Sequence, residues 1–167
     1  MGKRSIIEYQ ELKIVNDNLF MLVIKFIEGG WRCGYIGVPE GSPLFAVYGE
    51  IINGFCDVHG GITFDGYLDS DDESWWYFGF DCAHLNDAKD LRTAKLYFPQ
   101  NKQTYEEIEE IIYDLPDNHV WSLNDVKKEL SDFLDQLVDL LEDDDKMKML
   151  NDEYDELYKE EFGDEQK

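Results

Sequence analysis

The run Leu19–Ile27, LFMLVIKFI, constrains the fold more than any other stretch of this chain. It is almost continuously apolar, with Lys25 its one interruption, and so reads as a central strand buried on both faces. Asn16-Asp17-Asn18 precedes it. Asn and Asp tolerate left-handed backbone, so these residues predict a hairpin back to the imperfectly alternating segment Ser5–Val15. Gly29-Gly30 turns the chain again into Trp31–Val38, WRCGYIGV, a third strand in which Gly34 and Gly37 mark a bulge or a close approach of backbone. Pro39 ends it. Glu40–Gly54 predicts a structured loop with a short helical turn. Phe55–Phe64 and Ser74–Cys82 predict further strands, separated by the acidic loop Asp65–Glu73. Asp87–Leu96 is mixed, a helical turn leading to a strand end at Leu96-Tyr97-Phe98.

From Thr104 the apolar period becomes helical. Thr104 and Glu107 make a capping-box pattern, and Tyr105, Ile108, Ile111 and Ile112 keep one face apolar until Pro116. Ser122 caps a longer helix whose stripe Val126, Leu130, Phe133, Leu137 and Leu140 is widened by Leu123, Leu134, Val138 and Leu141 enough to pack on a sheet. The fold class is therefore α+β: an antiparallel sheet of four to six strands, about residues 5–98, packed against carboxy-terminal helices at about 104–115 and 122–142. Residues 1–141 are expected as a single domain, and 142–167 as an acidic helical or disordered extension.

Charge narrows the partners. The 167 residues carry a formal net charge of −23, with 23 acidic and 6 basic side chains from Thr104 onward. Such a field repels phosphate backbones and anionic lipid, so direct nucleic-acid and membrane binding are not expected, and a basic protein is a natural partner. No apolar run is long enough for a membrane span. Cys33, Cys56 and Cys82 are odd in number and lack metal-finger spacing, which fits reduced thiols in a cytoplasm. A homo-oligomer is compatible with all of this.

Unusual chemistry crowds into Cys56–Asp87, which holds His59, His84, Cys56, Cys82, Trp75 and Trp76. A small-ligand pocket is expected from His59, Gly60, Gly61, Trp75, Trp76, Asp81 and His84. Paired glycines admit a ligand to the backbone, and on a strand Trp75 and Trp76 put one indole on each face. Asp57, His59, Asp81 and His84 are the candidate ligands for a divalent metal, an option less favoured than metal-free binding because Asp57 and His59 share one strand face while Cys56 points to the other. Cys82-Ala83-His84 suggests a thiol nucleophile without a third group, and no catalytic residue is assigned.

Four blocks, GYIGVPEGSPLF (Gly34–Phe45), DVHGGITF (Asp57–Phe64), WWYFGFDCAH (Trp75–His84) and VWSLNDVKKEL (Val120–Leu130), resemble an uncharacterised family of small proteins common in bacteriophages and other mobile elements. The likeness spans about residues 30–140. Members continue the third block with A-G-D, where this chain reads Leu85-Asn86-Asp87. The resemblance implies a phage context, in the cytoplasm of a bacterial host cell, and no particular reaction. The expectation is a non-catalytic counter-defence module that binds a small, nucleotide-like ligand. The alternatives are an acidic inhibitor of a nucleic-acid-binding host protein such as a defence nuclease, and a metal-dependent hydrolase.

Overall fold

The structure, a computed structural model, describes residues 3–112 and 118–163. It is α+β. Strands β1 (Ser5–Val15), β2 (Asn18–Ile27), β3 (Trp31–Pro39), β4 (Phe64–Gly66) and β5 (Trp75–Asp81) form one antiparallel sheet in the order β1-β2-β3-β5-β4. The first hairpin closes through Asn16 and Asp17, whose φ values of 49° and 65° give the left-handed pair that a two-residue turn needs. β2 sits between β1 and β3, as its apolar run predicts.

Helix α1 is the single turn Gly49–Ile52 inside the loop after β3. A two-residue strand, β6 (Asp87–Ala88), and α2 (Leu91–Tyr97) follow β5. Next come α3 (Lys102–Ile112), β7 (His119–Val120), α4 (Leu123–Glu142) and α5 (Asp144–Phe162). Ser122 caps α4 with a complete capping box: its hydroxyl accepts the Asp125 N–H at 3.1 Å, and the Asp125 carboxylate accepts the Ser122 N–H at 3.0 Å.

The core lies between one sheet face and α4. Phe20, Leu22 and Ile24 of β2, Ile36 and Val38 of β3, and Phe78 and Phe80 of β5 are buried with Val126, Leu130, Phe133, Leu134 and Leu137 of α4. Each such side chain stabilises the fold by about 1.5–3 kcal/mol. The glycines of β3 mark close approaches: a Cβ at Gly34 would meet the Phe80 ring at 2.7 Å, and one at Gly37 the Tyr77 ring at 2.6 Å. A smaller cluster of Phe26, Leu91, Ala94, Phe98 and Tyr105 holds α2 and α3 beside the sheet. The acidic carboxy-terminal segment is helical through Phe162, and α5 docks on the core through buried Leu150 with Met147, Tyr154 and Leu157.

Three local expectations are corrected. Residues 55–63 are not a strand: Gly60 and Gly61 have φ of 69° and 80°, the Asp57 and His59 backbone bonds to side chains of α4, and the Thr63 N–H reaches the Gly79 carbonyl of β5. Leu96-Tyr97-Phe98 ends a helix that Asp90 caps by accepting the Thr93 N–H, so no strand forms there. Helix α3 starts at Lys102, after the turn Pro99–Asn101, which places Thr104 inside it and not at its cap. The expected stop at Pro116 lies outside the described residues.

Candidate functional site

The loop from Phe55 to Thr63 is shaped by α4. Gln136 takes both backbone groups of Asp57, accepting its N–H at 2.6 Å and donating to its carbonyl at 2.8 Å. One helical stretch nearer the amino terminus, Glu129 accepts the His59 N–H at 2.6 Å. These two polar residues on α4 do for the loop what a neighbouring strand would have done, pairing backbone groups that no ladder takes up.

His59 is thereby held over a second turn. Its Nε2 lies 2.9 and 2.8 Å from the two oxygens of Asp87, whose side chain is only 3% exposed. Asp87 also accepts the His84 N–H at 2.9 Å and returns its own N–H to the His84 carbonyl, so the carboxylate closes the turn that carries the other imidazole. The two imidazole rings stand 5.2 Å apart, edge to face. Trp121 covers His59 at 4.1 Å. Trp121 is fixed by its position just before the α4 cap, by the pairing of β6 with β7, and by its carbonyl, which accepts from Arg32 at 2.9 Å.

Gly60 permits this approach. A Cβ there would fall 1.8 Å from His84 Nε2, so only glycine lets the ring lie against the loop. Among the described residues, that Nε2 is buried without a hydrogen-bond partner; Asp81 Oδ1 is 3.6 Å away, too far for a hydrogen bond. Asp81 is otherwise engaged by the Thr63 hydroxyl at 3.1 Å and the Ala83 N–H at 3.1 Å.

Of the residues expected at the site, His59, Gly60, His84 and Asp81 come together, with Gly61 completing the turn through its N–H to the Val58 carbonyl. Trp75 and Trp76 do not join them. They open β5 while Asp81 ends it, a separation of about 20 Å along an extended strand. Trp76 donates its indole N–H to the Val47 carbonyl at 2.9 Å and packs with Phe45 and Tyr67. Asp57 is exposed, and its backbone groups bond to Gln136 away from the histidines. The residues that complete the cluster, Asp87, Trp121 and Glu129, escape the sequence reading. Their signals are local: a carboxylate three residues after His84, a large apolar residue just before a helix cap, and a polar position flanking the α4 stripe.

The thiols are unsuited to nucleophilic work. Cys33, Cys56 and Cys82 are all buried. Burial pushes Cys33 and Cys56 up to about 11; burial, then the nearby Asp87 charge, raises Cys82 further.

The sheet face turned away from α4 carries a groove of about 460 Å³ that ends on Asp81 and Ala83. Its walls include Trp31, Tyr35 and Phe64, with Tyr35 and Phe64 edge to face at 5.6 Å. Lys3 lines the groove, and two further lysines stand at its rings. Lys3 and Lys89 lie 4.3 and 5.8 Å from the Trp31 ring, and Lys25 lies 5.9 Å from that of Tyr35. The groove and the histidine cluster adjoin through Asp81.

Fold and site together define a small α+β protein with a His–His–Asp cluster beside an aromatic groove. The chain finds no match among family models, curated proteins or solved structures. Among the described residues no helix is long and apolar enough to cross a membrane.

Proposed function

We propose that this chain is a phage-type accessory protein that captures a small, nucleotide-like ligand without chemically changing it. The observation that carries the reading is the aromatic groove with three lysines at its rings, in a chain whose net charge is −23. An aromatic wall suits a flat base, and clustered ammonium groups suit a phosphate that the rest of the surface would repel. The volume falls within the range of about 300–1,000 Å³ typical of small-molecule sites. Counter-defence by sequestering a nucleotide signal is the role such capture would serve in a phage, acting in the host cytoplasm.

Titration of the purified protein with nucleoside monophosphates and cyclic nucleotides, followed by tryptophan fluorescence at low salt, tests this. Sub-millimolar binding is expected, weakened by about 1–3 kcal/mol in Trp31→Ala through loss of base stacking. Binding only above millimolar, by a folded protein, refutes the reading.

A second reading has its own observation. The exposed side of α5 presents Asp152, Glu153, Asp155, Glu156 and Glu160, a negative face on an ordered helix, suited to covering the basic groove of a host nuclease. Neutralising these five to Asn and Gln leaves Leu150 and the α5 docking untouched. Inhibition of such a nuclease should then fall steeply at low salt; inhibition that survives neutralisation eliminates the charge-mimic idea.

A further inference from the structure

The cluster of His59, His84 and Asp87 is more than packing and turn formation require. One potential ligand atom from each residue lies within 4.8 Å of the other two. His59 Nε2 stands nearly equidistant from both Asp87 oxygens, at 2.9 and 2.8 Å, although a single N–H satisfies only one of them fully. His84 contributes an imidazole whose buried Nε2 has no hydrogen-bond partner, a condition that in native proteins calls for an explanation such as an ion.

The surroundings favour a cation over an anion. Asp87 lies against His59 Nε2 and Asp81 Oδ1 lies 3.6 Å from His84 Nε2, so carboxylates flank both imidazoles. Backbone bonds from His59 to Glu129 and from His84 to Asp87 fix the two stretches of main chain that carry the rings. Asp87 Oδ2 accepts the His84 N–H, which leaves Oδ1 free of backbone bonds.

We infer that His59, His84 and Asp87 bind one first-row divalent transition metal, zinc in the first instance, leaving one coordination position open. Two imidazoles and a carboxylate are the donor set such ions prefer, and three protein ligands with a free position distinguish an exchangeable or ligand-binding site from a closed structural one. Donor atoms around zinc at about 2.0–2.2 Å stand about 3.4 Å apart in a tetrahedron. The His59–Asp87 hydrogen bond therefore opens by about half an ångström, and the metal takes the place of its proton. This site differs from the one expected from sequence, because Asp87 supplies the carboxylate and Asp57 takes no part. The inference stands apart from nucleotide capture, and a metal here would add a phosphate anchor at the Asp81 end of the groove.

The test uses the full chain stripped with a chelator and titrated with Co²⁺ in the absence of nucleotide, read by visible absorption and by competition with Zn²⁺. One equivalent is expected. His84→Ala and Asp87→Asn should each weaken it by more than about 100-fold, since even outer-shell partners of metals cost about 10–100-fold. His84→Cys, a ligand exchange, should restore affinity and add sulfur-to-cobalt charge-transfer absorption, which a merely structural His84 could not produce. Asp144→Asn with Asp145→Asn, in the acidic first turn of α5, should change nothing, and Trp31→Ala should weaken nucleotide alone. Co²⁺ affinity unchanged in His84→Ala, or lost with the Asp144 and Asp145 changes, overturns the inference while leaving nucleotide capture to its own titration.

Discussion

Replacing Arg32 with Met should lower the stability of this protein by about 3–5 kcal/mol, the usual cost of removing one partner from a buried ion pair. Arg32 is 4% exposed. Its guanidinium donates to Glu8 at 2.7 and 3.3 Å, to Asp90 at 2.8 Å and to the Trp121 carbonyl at 2.9 Å, and Tyr97 adds its hydroxyl to Glu8 at 2.9 Å. Three separate parts of the chain meet there: the edge strand β1, the cap of α2 and the residue that leads into α4. A methionine of similar volume would fill the space and leave two carboxylates without their cation. Arg32→Lys keeps the charge but cannot make these bonds at once, so an intermediate loss is expected.

The loss should depend on pH in a defined direction. Burial alone would raise the Asp90 carboxyl, but hydrogen bonds from Arg32 and Thr93, together with the Arg32 charge, outweigh it and hold the group below the usual carboxylate range. A depressed folded value contributes stability that is present above the unfolded value, about 3.9, and is lost as pH falls through the folded one. The gap between wild type and Arg32→Met, measured by urea denaturation, should therefore be widest near neutrality and narrow below about pH 4. A variant within 1 kcal/mol of wild type at pH 7 would show that the network contributes far less than a buried pair should.

Where local chemistry and global packing agree, the fold was legible in the sequence. Asn16-Asp17 can adopt the left-handed turn that joins β1 to β2, and Ser122 with Asp125 caps the stripe that α4 buries. Both signals lie within a few residues of the feature they determine. The segment from Phe55 to Thr63 failed for the opposite reason. Its apolar residues suggested a strand, but its backbone partners are Gln136 and Glu129, more than 65 positions away on a helix whose apolar stripe drew attention from its polar flank. The site follows the same pattern. His59 and His84 were expected together and stand together, because each sits in a short turn with glycine or carboxylate support. The indole beside them is Trp121 and not Trp75 or Trp76, since β5 runs its full length between those tryptophans and Asp81. In the sequence Trp31 and Tyr35 are strand residues, and it is the sheet order, which sets β3 beside β5, that makes them walls of a groove ending at Asp81.

Gly60→Ala should abolish the His–His–Asp cluster, and Gly61→Ala should not, although both glycines have left-handed backbone. At φ of 69° and 80° either alanine is strained, by about 1–2 kcal/mol. The difference is steric. A Cβ at Gly61 meets nothing closer than Asn53 Oδ1 at 3.5 Å, an ordinary contact, whereas at Gly60 it would overlap the His84 ring at 1.8 Å from Nε2. The Asp87 turn holds the His84 backbone and His59 stands 5.2 Å away, so the overlap is relieved only by rotating the ring away from both Gly60 and His59. The ring must leave the cluster or the loop must move, and either displaces His59 from Asp87. Gly60→Ala is thus expected to lose Co²⁺ binding by more than about 100-fold, beyond the cost of an outer-shell change, while Gly61→Ala stays near wild type at a similar loss of stability. Equal metal affinities for the two variants, in proteins shown to be folded by circular dichroism, would mean that the contact between loop and ring does not position the imidazoles.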